Sequence, residues 1–148
     1  MRRTEVYIYY NDQKGYIFAS DTIFLGKVTH TTVNPILILS KESATDAIIG
    51  EYVRKALDIS RNAEPVDKDS EGIYKFWEEI GIKRYGTFSK KFKCIEIEEF
   101  NNALYYRKFI GTPRGGYIGE YQEKDRKHVD INVSDKELGA LVKKEVSI

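Results

Sequence analysis

The hydrophobic residues of this chain change their spacing three times, and that pattern restricts the fold more than any other feature. Through residues 5–10 polar and apolar side chains alternate with a period of two, which marks a strand with one buried face. A turn over residues 11–15 leads into a second alternating run through Tyr16, Phe18 and Ser20, so a hairpin is predicted. Two more strands are expected over 22–28 and 35–39. The second is an unbroken apolar run (Ile36, Leu37, Ile38, Leu39) suited to a buried strand.

From Thr45 the spacing becomes helical. Ile48, Ile49, Tyr52, Val53, Ala56 and Leu57 share one face, Thr45 is placed as N-cap, and Asp46 meets the positive end of the helix dipole. A polar loop over 61–69 leads to a shorter helix with Ser70 as cap. Ile73, Phe76, Trp77 and Ile80 lie on one face, and Gly81 supplies the left-handed residue at its end. Period two then returns over 92–97, 103–109, 116–121 and 128–133, with Asn101-Asn102 as a tight turn and 112–115 as a longer connection. The pattern Ser134-Asp135-Lys136-Glu137 is a capping box that opens a last helix with Leu138, Leu141 and Val142 as its buried stripe. The whole, residues 1–148, reads as one α+β domain: a mostly antiparallel sheet of five or more strands with about three helices packed against it.

The two better helices echo each other without a gap. TDAIIGEYVRKAL from Thr45 matches SDKELGALVKKEV from Ser134 in the hydroxyl cap, the Asp, the glycines Gly50 and Gly139, and a Val followed by two bases. A glycine inside a helix costs about 1 kcal/mol against alanine, so two at one register predict close approach to the sheet.

Net charge is +1, which supplies no overall field toward nucleic acid or an anionic membrane. Locally the balance shifts: residues 42–79 hold ten acids and five bases, whereas 80–93 hold five bases and no acid. The single cysteine, Cys94, has no partner for an intramolecular disulfide, and no apolar stretch reaches the ~20 residues of a membrane span. A cytoplasmic protein is expected.

Chemistry-bearing patterns are sparse. His30 and His128 are isolated, His30 in a Thr-rich turn, and neither belongs to a nucleophile–base arrangement. One cysteine and two separate histidines make no zinc site, and the glycines near Gly115 and Gly116 lack the ending of a phosphate loop, so no metal or cofactor is expected. Two alternatives stand beside a non-enzymatic role. Glu96, Glu98 and Glu99, with His128 as base, would suit a small carboxylate-dependent hydrolase. Lys83, Arg84, Lys90, Lys91 and Lys93 interleaved with Tyr85, Phe88 and Phe92 would suit a nucleic-acid-binding segment over 83–93, although the near-neutral chain speaks against it.

Three segments, IIGEYVRKALDISR, EEIGIKRYGTFSKKFKCIEIE and SDKELGALVKKEV, together resemble the CdiI family of bacterial contact-dependent growth inhibition immunity proteins. The resemblance implies a non-catalytic chain that forms a heterodimer with the toxic C-terminal domain of its cognate effector, often a nuclease, and blocks it. Because a nuclease site is usually basic, the partner surface is expected on acids: Asp67, Asp69 and Glu71, then Glu78 and Glu79, then Glu96 and Glu98 on the following strand. Reversing Glu78, Glu79, Glu96 and Glu98 together is expected to slow association and to leave the fold intact. The tyrosines Tyr105, Tyr106, Tyr117 and Tyr121 are the next candidates.

Overall fold

The computed structural model describes residues 4–25, 30–31, 34–64, 66–67 and 76–147. In chain order its strands and α-helices are β1 (Thr4–Asn11), β2 (Gly15–Ser20), β3 (Thr22–Leu25), β4 (His30–Thr31), β5 (Leu37–Leu39), α1 (Asp46–Asn62), β6 (Val66–Asp67), α2 (Tyr85–Lys91), β7 (Lys93–Phe100), β8 (Ala103–Gly111), β9 (Tyr117–Gly119), β10 (Lys127–Asp130) and α3 (Asp135–Val146). The main sheet is antiparallel throughout, in the order β10-β8-β7-β1-β2-β5, with β9 also paired to β8. A small second sheet sets β3 between β4 and β6, so His30 belongs to a short strand and not to a turn.

The predicted hairpin of β1 and β2 closes through Asn11, whose side chain accepts from the Gln13 and Lys14 amides at 3.1 and 2.7 Å. Asn101 and Asn102, between β7 and β8, both adopt positive φ (50° and 60°), the conformation that a two-residue hairpin turn with the correct twist requires. Strand β5 departs from expectation. Among the described residues it pairs with β2 alone, at the end of the strand order, and Ile38 is half exposed.

Alternation along the strands sorts two cores. Val6, Ile8, Phe18, Ile95, Ile97 and Leu104 point to one face of the sheet and meet Ile49, Val53 and Leu57 of α1 and Leu138, Val142 and Val146 of α3. Tyr9, Ile17, Ala19 and Cys94 point to the other face, beneath Phe76, Phe88 and Phe92. The second layer consists of a 3-10 turn over Phe76–Ile80, ended by Gly81 at φ +82°, followed by α2. A 3-10 turn replaces the α-helix expected there, and its proposed cap Ser70 and its Ile73 lie outside the described residues. Helix α2 forms within the basic stretch, where no helix is predicted.

The echo between the long helices is a structural one. Thr45 accepts from the Ile48 amide at 3.3 Å, and Ser134 accepts from the Glu137 amide at 3.1 Å. A Cβ on Gly50 would overlap the Asp135 carbonyl, and one on Gly139 would overlap the Asp46 carbonyl. The glycines thus bring the two helices against each other's first turn, not against the sheet as expected. Ion pairs repeat the relation: Arg54 Nε lies 2.9 Å from Asp135 Oδ1, and its counterpart Lys143 Nζ lies 3.0 Å from Asp46 Oδ1. Residues matched in sequence thus make reciprocal contacts across the helix pair.

Candidate partner-binding site

The acids predicted to face a partner do not form one open surface. Alternation places Glu96 and Glu98 on the β7 face opposite Ile95 and Ile97, as expected, but there Arg107 and Arg126 lie against them, and they are only 2% and 6% exposed. Arg126, just before β10, reaches both: Nη1 is 3.1 Å from Glu96 Oε1 and Nη2 is 2.8 Å from Glu98 Oε1. Arg107 Nε approaches Glu96 Oε1 at 3.4 Å. Reversing these glutamates to lysine would bury like charges beside arginines, so such a change disrupts the fold instead of leaving it intact. Glu78 and Glu79 are exposed on the 3-10 turn. Asp67 lies in β6, while its side chain, Asp69 and Glu71 are outside the described residues.

The buried acids form a cluster. Glu5 stands opposite Glu98 in the β1–β7 ladder and is 1% exposed, and Asp21 is also buried. Burial pushes the Glu5 carboxyl up to about 8, with repulsion from Glu96 and Asp21 adding to it; a hydrogen bond from Tyr7 works the other way. Burial also raises Glu96, outweighing the two arginines. For Arg126 burial opposes the charge, yet Glu98 and Glu96 raise it overall. This is a buried network in which Arg126 and Arg107 pair with the glutamates. His128 is exposed, its ring 5.3 Å from that of Tyr105, and burial holds the Cys94 thiol well above its usual range. No group of three or more His, Cys, Asp or Glu among the described residues is arranged to hold a metal ion.

The basic segment meets a different environment from the one a nucleic acid needs. Phe88 and Phe92 are buried, and Tyr85 packs on Trp77 at 4.9 Å, so the aromatic rings serve the core and not base stacking. Their lysines remain outside. Lys90 and Lys91 at the end of α2, Lys93 on β7 and Lys108 on β8 rim an open groove of about 750 Å³ floored by Phe92, Phe109 and Ile110. Ile110 is paired across the β8–β9 ladder with Ile118, and the two are 48% and 62% exposed. Of the tyrosines, Tyr117 donates to the Phe92 carbonyl at 2.8 Å and Tyr105 packs beneath Arg126, so neither presents a free ring.

No family model matches the chain, and no curated protein matches it. Solved structures do. The CdiA-CT/CdiI toxin and immunity complex from Yersinia pseudotuberculosis matches with a TM-score of 0.71 over 99% of this chain and 97% of that chain, at 15% identity. The chain has a CdiI-like fold. A Neisseria meningitidis protein of unknown function matches equally well, with a TM-score of 0.70 over 99% and 94% of the two chains at 17% identity.

A CdiI-like fold at such identities carries no contact residues from one chain to another, so the surface has to be read from this chain itself. Sequence reasoning misses Lys108, Ile110 and Ile118 as a group. The available signal is the exposed parity of Ile110: Tyr106, Lys108 and Ile110 share one face of β8, and helix α3 ends at Val146 without extending over Ile110 and Ile118.

Proposed function

We propose that this chain is an immunity protein that binds the toxic domain of a contact-delivered effector one-to-one and keeps it from its substrate. It performs no chemistry of its own. The observation that carries the reading is the match over nearly the full length of both chains to a fold found in a toxin and immunity complex. The burial of Glu96 and Glu98 and their pairing with Arg126 favour this reading over a carboxylate-dependent hydrolase. On this reading the complex forms in the cytoplasm of the protected cell, and the toxin is a nuclease. Glu78 and Glu79, still exposed, remain proposed contacts.

The test is co-expression of the chain with the C-terminal domain of the large secreted protein encoded upstream. We expect cells producing both to grow while cells producing the domain alone do not, and the two chains to co-purify at equal stoichiometry. Growth arrest despite abundant folded chain, or the absence of such a neighbour, counts against the proposal.

A further inference from the structure

We infer that the lysine-rimmed groove between α2 and β8 receives an acidic segment of the toxin domain, which seats an aliphatic or aromatic side chain against Ile110 and Ile118; this rests on the immunity reading. The groove combines two features. Lys90, Lys91, Lys93 and Lys108 line it, and none of the described residues that line it is acidic. Asp12 adjoins Lys93 at one end, so the positive field is carried by Lys90 and Lys91 at the end of α2, and at physiological salt it acts over about 8 Å. Beside it the cross-strand pair of Ile110 and Ile118 presents contiguous apolar surface beyond the end of α3. A single exposed isoleucine is ordinary, whereas a register-matched pair next to four cations forms an apolar centre with a charged rim.

That chemistry selects the occupant. Carboxylates complement the lysines and accelerate encounter, while the isoleucines need an apolar side chain to cover them. A nucleic acid would satisfy the lysines only, because Phe88 and Phe92 are buried and aliphatic side chains give bases no stacking platform. A partner with a basic substrate site can carry an acidic segment elsewhere on its surface, so blocking by this route covers the site sterically instead of imitating phosphate.

Two variants of the full chain separate the features: Lys90→Glu with Lys91→Glu, and Ile110→Ser with Ile118→Ser. All four side chains are exposed, so both variants are expected to fold, which thermal melts check. Association with the purified toxin domain is followed by stopped-flow across salt concentrations. The lysine variant is expected to associate about tenfold more slowly at low salt and to lose most of its salt dependence. The isoleucine variant is expected to dissociate about tenfold faster. Wild-type rates in both variants overturn the groove and leave the immunity reading standing. If wild type captures no toxin domain, that reading fails, and two probes decide the groove alone: a labelled peptide of alternating glutamate and leucine, and a labelled twelve-base oligothymidylate. Peptide binding that weakens in both variants supports the groove. No peptide binding, or binding of the oligothymidylate only, overturns it.

Discussion

Glu5 occupies a strand position whose neighbours across the sheet are Ser20's successor Asp21 and Glu98, so four carboxylates, with Glu96, share one covered region. Its folded-state value near 8 lies above the ordinary value of 4.5, so the native state holds a proton that the unfolded chain has released. Between about pH 4.5 and 8 the native state therefore binds more protons, and stability falls as pH rises through that window, by roughly a few kcal/mol in total. Urea midpoints for wild type should drop between pH 5 and pH 9, and Glu5→Gln, which cannot ionise, should flatten that slope and be the more stable form at pH 9. A wild-type midpoint that rises over the range would contradict the assignment. Alternation alone revealed which face Glu96 and Glu98 take. It gave no sign that the two are buried, because their partners are Arg107 on the neighbouring strand and Arg126 thirty residues further on, which only tertiary packing brings there.

At the level of elements, the helix pair shows how far local signals reach. Both N-caps, the Asn101-Asn102 turn and the glycine after the 3-10 turn follow from residue chemistry and stand where that chemistry puts them. Helix α2 was not predicted: it has seven residues and no side-chain cap, and the helical spacing of Tyr85, Phe88 and Phe92 was read as rings interleaved with lysines; Phe88 packs on Tyr9 and Phe92 at ring separations of 4.8 and 4.4 Å. The destination of Gly50 and Gly139 was also hidden, since a helical glycine announces a close neighbour without naming it. Gly50→Ala and Gly139→Ala gain about 1 kcal/mol of helix propensity each, yet each places a methyl group on the opposing backbone. Each is expected to lose about 1–3 kcal/mol net in chemical denaturation. Because separating the helices relieves both clashes, the double variant should lose less than the sum. Additive losses, or stabilisation by either alanine, would contradict the shared contact.

Over the whole molecule, the sheet is covered on both faces and its first strand lies in the interior of the strand order. Strand β1 pairs with β2 next to it in sequence and with β7 about ninety residues later, Val6 standing opposite Ile97. Such distant pairing makes folding slow, and refolding after dilution from urea is expected on the millisecond-to-second scale instead of the microseconds of a helical bundle. Complete recovery within about 100 μs in stopped-flow or temperature-jump measurements would contradict this.

The position of β1 also sets a clock. Bacterial and other ribosomes add about 5–20 residues per second, so on the order of 5–20 s separate the synthesis of Val6 from that of Ile97. During that interval the strand has only one of its two neighbours, and α3, which covers the same face, is made later still. On the proposed immunity reading, synthesis begun when a toxin arrives yields a finished binder only after that interval, whereas molecules already folded act at once.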